Sequence, residues 1–212
     1  MSVASTLCMT KRIGAPVISL VLVTLSAVTL ATAVAALGDR GTKNVPWVVG
    51  RIQGRVELET GKNKSVLTAE TPAPAAAVVR VDKEARAQLI SRQTRVSMGS
   101  SSVVRIEGSK VVLITGTIFV EGRPESEKRT LVFPGGSVVW SDGEGFVILD
   151  SSRSDGTQVA TLSGTLLVRA EKGEPIVLRP GKQVEIQQGR IDFSPKTVGV
   201  DELKIKRKNL GF

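Results

Sequence analysis

Four carboxylates that lie close together, Asp142, Glu144, Asp150 and Asp155, are the first residues whose spacing suggests chemistry. Clustered carboxylates suit a hard cation such as calcium, which needs oxygen donors at alternating positions around a tight glycine turn. The stretch "DSSRSDG" (150–156) lacks that alternation, and Arg153 stands in its middle. Solvated turns are the better reading, with Asp142-Gly143 and Asp155-Gly156 as hairpin dipeptides. Other chemistry is thinly supplied. The 212 residues include no histidine, so the usual general base and the commonest metal ligand are missing. The one cysteine, Cys8, cannot form an internal disulfide and has no histidine to activate it. An enzyme would have to rely on carboxylates, a Ser-Lys pair or a bound cofactor. The sequence singles out no such set, so we expect a non-enzymatic protein with no cofactor and no metal site.

A second candidate is the basic run "KIKRK" near the C-terminus. Its Lys204, Lys206, Arg207 and Lys208 would meet anionic lipid, glycan phosphate or an acidic protein. The plainer expectation for this run is a disordered, solubilising tail over 194–212. Nucleic acid is not an expected partner, because no aromatic residues are interleaved with the basic ones. Trp47 and Trp140 are read as packing residues.

The elements that must position these residues begin with a leader. Lys11 and Arg12 are the only charges before Asp39, and Ile13 to Leu37 is a 25-residue stretch without any. Such a stretch is long enough to cross a bilayer as a helix. It also parses as a secretory signal, with Ala33 and Ala35 before a cleavage point. Residues 1–37 are therefore read as a signal peptide or membrane anchor, touching the membrane through 13–37 if uncleaved. Either way the remainder is expected outside the cytoplasm, in the periplasm or its equivalent, since Lys11 and Arg12 stay inside. Beyond residue 36 the chain holds 27 Lys and Arg against 20 Asp and Glu, a net +7.

The exported part reads as β. "GRIQGRVELET" alternates apolar and polar residues, "GKNK" turns the chain, and "TPAPAAAVV" (71–79) looks like a loop or linker. Segment 38–84 is thus a short hairpin followed by a Pro/Ala-rich linker. From Ser101 onward short β-prone runs recur every 7–12 residues, most of them separated by glycine-bearing turns. The fold expected is all-β: stacked short antiparallel strands in a sandwich, jelly roll or solenoid-like roll, preceded by an N-terminal hydrophobic helix. Its core is expected to draw on Ile114, Ile118, Val120, Val138, Phe146, Leu162, Leu166, Val168 and Val184.

One phrase occurs twice. "LITGTIFV" (113–120) returns 48 residues later as "TLSGTLLV" (161–168), pairing Ile114 with Leu162 and Gly116 with Gly164. Downstream, at a shift of 46, Pro134-Gly135 matches Pro180-Gly181 and Gly143 matches Gly189. The reading is a unit of about 47 residues used twice in stacked β-layers, with Gly116, Gly135, Gly143, Gly164 and Gly181 as structural turns.

The order "VVLITGTIFV", "LVFPGGSVVWSDGEGFVIL", "TQVATLSGTLLV", "PIVLRPGKQVEI" resembles the FecR-type domain of bacterial envelope proteins, over roughly 85–193. Two departures stand out: Glu144 in place of the family's threonine, and Lys182-Gln183 after Gly181. The resemblance implies an exported β-domain that recognises another envelope component, protein or glycan. Full-length FecR regulators carry a cytoplasmic domain before the membrane span. About a dozen residues stand there in this sequence, so a sigma-factor role is not carried over. The alternative is a lipid-carrying jelly roll similar to the one-span components of lipopolysaccharide transport. An open apolar groove would mark that alternative, and a filled core the FecR type.

Overall fold

The chain divides into two units, Met1–Lys43 and Asn44–Phe212. The structure, a computed structural model, describes residues 46–68, 70–123, 128–140, 142–149, 156–191 and 194–210. The leader, Cys8, Asp150 and Asp155 lie outside the described residues. Among those described, no helix is long and apolar enough to cross a membrane.

The second unit is built from two sheets. The strands in chain order are β1 (Trp47–Gln53), β2 (Val56–Thr60), β3 (Asn63–Val66), β4 (Thr71–Ala73), β5 (Val78–Val81), β6 (Arg86–Ser91), β7 (Thr94–Met98), β8 (Val103–Glu107) and β9 (Lys110–Gly122). They continue as β10 (Arg129–Phe133), β11 (Gly136–Trp140), β12 (Gly143–Leu149), β13 (Gly156–Gly164), β14 (Leu166–Ala170), β15 (Ile176–Leu178), β16 (Lys182–Gln187), β17 (Arg190–Ile191) and β18 (Lys196–Thr197). One helix, α1 (Val200–Asn209), follows. Sheet A has the order β4-β1-β6-β7-β9-β12-β13-β16, with β17 and β18 both paired to β16. Sheet B has the order β3-β2-β5-β8-β9-β10-β11-β14-β15.

The all-β class is as the periodicity indicated, and sheet B is mixed where only antiparallel pairing was expected. β9 and β10 run parallel, because the chain leaves β9 in sheet A and returns to sheet B before β10 begins. The stretch read as a hairpin and linker, 38–84, contributes β1 to β5 to both sheets from Trp47 on. Within "TPAPAAAVV", Thr71–Ala73 and Val78–Val81 are strands.

β9 belongs to both sheets. Its first half pairs with β8 and β10 in sheet B, and its second half with β7 and β12 in sheet A. "LITGTIFV" is therefore one continuous strand, not two strand ends around a turn. The passage happens at Gly116, whose φ of +99° suits glycine. A Cβ there would collide with Ser102 Oγ. The Ser102 hydroxyl in turn accepts from the Thr117 N–H and donates to the Thr117 carbonyl, both at 3.0 Å.

The passage also resets the two-residue alternation of the strand. Before it Val111 and Leu113 point inward, and after it Ile118 and Val120 do. Ile114 thus falls on the outside, 43% exposed, and is not a core residue as expected. The second copy of the phrase behaves alike in the opposite sense. β13 in sheet A turns Val159 and Thr161 inward, the chain crosses at Gly164, and β14 in sheet B turns Leu166 and Val168 inward. Gly164 (φ +65°) meets Gly143 (φ +116°), and a Cβ on Gly164 would lie 2.5 Å from the Gly143 Cα. The repeat is a repeat of sheet crossings.

It does not extend downstream. Pro134-Gly135 turns a hairpin within sheet B, between β10 and β11, whereas Pro180-Gly181 carries the chain from β15 in sheet B to β16 in sheet A. Asp142-Gly143 likewise joins β11 of sheet B to β12 of sheet A, and is not the hairpin dipeptide expected.

The inward residues of both sheets form one continuous core. It includes Val49, Leu89, Met98 and Val147 from sheet A, with Val79, Leu113, Leu131 and Val168 from sheet B. Trp47 and Trp140 are buried within it. Of the residues expected to be core, Ile118, Val120, Val138, Leu166, Val168 and Val184 lie between the sheets. Phe146 and Leu162 are buried in a second cluster with Phe119, Ala160 and Leu203 of α1.

Gly116→Ala should destabilise the domain by at least about 2 kcal/mol, combining a left-handed backbone penalty with a contact against the Ser102 side chain and backbone. Gly61→Ala is the control. Gly61 has a similar φ sign but nothing within 4 Å of its would-be Cβ, so its cost should stay near 1 kcal/mol. Urea denaturation of the two variants gives the comparison.

Candidate functional site

The outer face of sheet A carries a cluster of paired side chains. Three strands place Arg95 of β7, Glu121 of β9 and Glu144 of β12 side by side in register. The next row of the same face reads Ser97, Phe119, Phe146 and Ala160. The phenyl rings of Phe119 and Phe146 are tilted, with centroids 4.7 Å apart. Glu121 and Glu144 face each other directly, an arrangement that is destabilising when nothing neutralises it.

α1 supplies the neutralising charge. Arg207 Nη1 donates to Glu144 Oε2 at 2.9 Å, and its Nη2 lies 3.7 Å from Glu121 Oε2. The same guanidinium sits 5.2 Å from the Phe119 ring centroid, a cation–π distance. Arg95 Nη1 approaches Glu121 from the other side at 3.6 Å. Burial raises the Glu144 carboxyl above the ordinary glutamate value, against the Arg207 charge, which lowers it, and Glu121 adds to the rise. Leu203 completes the contact, buried against Phe119, Phe146, Ala160 and Leu162, a burial worth roughly 1.5–3 kcal/mol.

The residues 194–212, expected as a disordered tail, therefore include a docked helix. Its sequence is weakly amphipathic, with Leu203 its only buried residue. What the sequence offered instead was charge order. Asp201 and Glu202 stand in the first turn and Lys206, Arg207 and Lys208 in the last, which complements the helix dipole. Glu202 pairs with Lys206 at 3.0 Å and Asp201 with Lys204 at 3.1 Å. The four basic residues picked as partner-binding are thus not equivalent. Arg207 turns in on the sheet, Lys204 and Lys206 have carboxylate neighbours on their own helix, and Lys208 is exposed beside Ile205, itself 60% exposed. Glu144, the departure from the FecR-type pattern, is the partner of Arg207.

Recesses flank α1 on both sides. One, of about 190 Å³, is bordered by Arg51, Gln88, Arg95 and Arg207. The other, of about 360 Å³, reaches Phe146, Ile148 and Lys206.

No family model matches the sequence, and no curated protein matches it. Two crystal structures, each described as a "putative anti-sigma factor" from Parabacteroides distasonis, match the fold with a TM-score of 0.51. Their identities are 15% and 14%, over 60% and 61% of this chain. The chain spans 62% and 64% of their lengths. At such identity the likeness concerns the fold. At that coarse level it agrees with the FecR-type pattern: the chain contains an all-β domain whose fold is similar to that of these two structures.

Arg207→Ala should loosen α1 by about 1 kcal/mol, allowing for solvent screening of a side chain that is 40% exposed. Amide exchange should speed up in α1 and not in the sheets, whereas Lys208→Ala should change neither. The Glu144 carboxyl should titrate still higher once the lowering charge is gone. A carboxyl raised in the folded state contributes stability fully below its unfolded value and loses it as pH rises through the folded one. That loss should deepen in Arg207→Ala, and a carboxyl-detected NMR titration of both proteins reads it.

Proposed function

We propose that this chain is an exported, non-enzymatic β-domain that binds or scaffolds other components of a bacterial cell envelope. The observation that carries the reading is the filled interior. Close-set side chains from both sheets occupy the space where a lipid carrier would need an open groove. The likeness to anti-sigma-factor structures fits an envelope-associated regulatory domain at the level of fold. The leader supports export. Binding is assigned to surface elements: the outward side of α1, where Lys204, Ile205 and Lys208 are exposed, and the outer face of sheet A beside it. The net positive charge beyond the leader favours acidic partners and makes association salt-sensitive.

Protease added to intact spheroplasts should degrade the domain, whether the leader is cleaved or retained, and protection would place it in the cytoplasm and end the envelope reading. Crosslinking in envelope fractions should capture a partner whose yield falls with added salt and with the pair Lys204→Glu, Lys208→Glu. A yield indifferent to both would remove α1 from the binding surface.

A further inference from the structure

We propose that the recess beside α1 binds one carboxylate-bearing sugar unit, held through its carboxylate by Arg51 and Arg95. This deepens the binding-domain reading by naming a ligand class.

The recess exists because of an irregularity in β1. Trp47 and Val49 point into the core, so strict alternation would send Arg51 there too. The register of β1 on β6 shifts between Val49 and Arg51, and this bulge sets Arg51 opposite Gln88 on the outer face. Bulges re-aim side chains in this way. Gly50 makes it sterically feasible, since a Cβ at that position would collide with Ile90 Cδ1. Among the described residues Arg51 has no carboxylate partner, while Arg207 on the opposite wall is committed to Glu121 and Glu144.

The floor of the recess is polar and buried. Gln88 is 6% exposed and Ser97 5%, and Gln88 Nε2 donates to Ser97 Oγ at 3.3 Å. That is the one hydrogen bond of the Gln88 side chain among the described residues, so its Oε1 and second N–H remain for hydroxyl groups of a ligand. Ile90 and Leu210 add apolar surface for the C–H face of a ring.

Size and charge narrow the class. A volume of about 190 Å³ is below the range of roughly 300–1,000 Å³ for drug-sized ligands. One sugar ring with its substituents is of that scale. The planar fork of Arg51 matches a carboxylate, and Arg95, whose Nη1 lies 3.6 Å from Glu121, shares the ligand's carboxylate through its other N–H groups. Glu121 borders the same recess and repels a dianionic phosphate about twice as strongly as a monoanionic carboxylate.

Calorimetric titration of the full chain with glucuronate, against glucose and glucose 1-phosphate, tests the assignment. The expected result is saturable one-site binding of glucuronate that weakens with salt. It should fall about tenfold in Arg51→Gln, the scale of one lost charge-assisted contact, and stay unchanged in Lys83→Gln. Both positions are exposed, and equal melting temperatures would confirm that the variants fold. Glucose or glucose 1-phosphate bound as tightly as glucuronate, no saturable binding, or an affinity indifferent to Arg51→Gln would each overturn the proposal. A galacturonate trimer then separates two sources of the ligand. Affinity equal to the monomer's points to a free sugar acid, and much tighter binding points to a unit within an acidic polymer; either result keeps the class. An envelope partner captured by crosslinking with no glucuronate bound would sink the recess and leave the binding-domain reading standing.

Discussion

Both sheets hang on a single strand. β9 runs thirteen residues and gives its first half to sheet B and its second to sheet A. A strand that changes sheets must break its own alternation, or one of its halves would show the wrong side chains to the core. Gly116 is where that break happens, with a left-handed φ and a backbone approach to Ser102 that excludes any side chain. The neighbours then follow: β8 and β10 register against Val111 and Val112, and β7 and β12 against Ile118 and Val120. Because both halves are pinned, the inward faces are brought into one continuous core. This is also why the repeated phrase reads so similarly. At Gly164 the second copy solves the same steric problem, in contact with Gly143.

The outer face of sheet A is a different kind of surface. Its Phe119, Phe146, Ala160 and Leu162 would be exposed without α1, and its facing carboxylates Glu121 and Glu144 would repel. One residue of α1 relieves each defect, Leu203 the apolar one and Arg207 the charged one. Ile114 shows the contrast. It occupies the position in the first copy that Leu162 holds in the second, both pointing outward just before the crossing. Leu162 is 7% exposed under α1, and Ile114, on sheet B, is 43% exposed.

The sequence made the β class and most inward positions legible, because two-residue alternation and glycine turns report on local geometry. It did not reveal the change of phase at Gly116, since the step Thr115-Gly116-Thr117 in "LITGTIFV" reads as a turn and not as one strand passing between two sheets. Nor did it reveal the parallel pairing of β9 with β10, which depends on where a distant connection returns. α1 escaped notice because its helical stripe comes down to Leu203, with the rest of its stability in ion pairs and in contacts to distant strands, such as that of Arg207 with Glu144, 63 residues away in sequence. The same is true of the recess. Arg51 reads as an ordinary polar position in an alternating strand, and only the bulge at Gly50 sets it beside Gln88 and Ser97.

If β9 ties the sheets together, they should unfold as one unit while α1, held by a few contacts, opens alone. Native-state hydrogen exchange in rising denaturant measures this directly. Amides of β8 and β11 in sheet B should converge on the same opening free energy as those of β7 and β13 in sheet A, with α1 exchanging through a smaller, separate opening. Distinct limiting free energies for the two sheets would contradict the account.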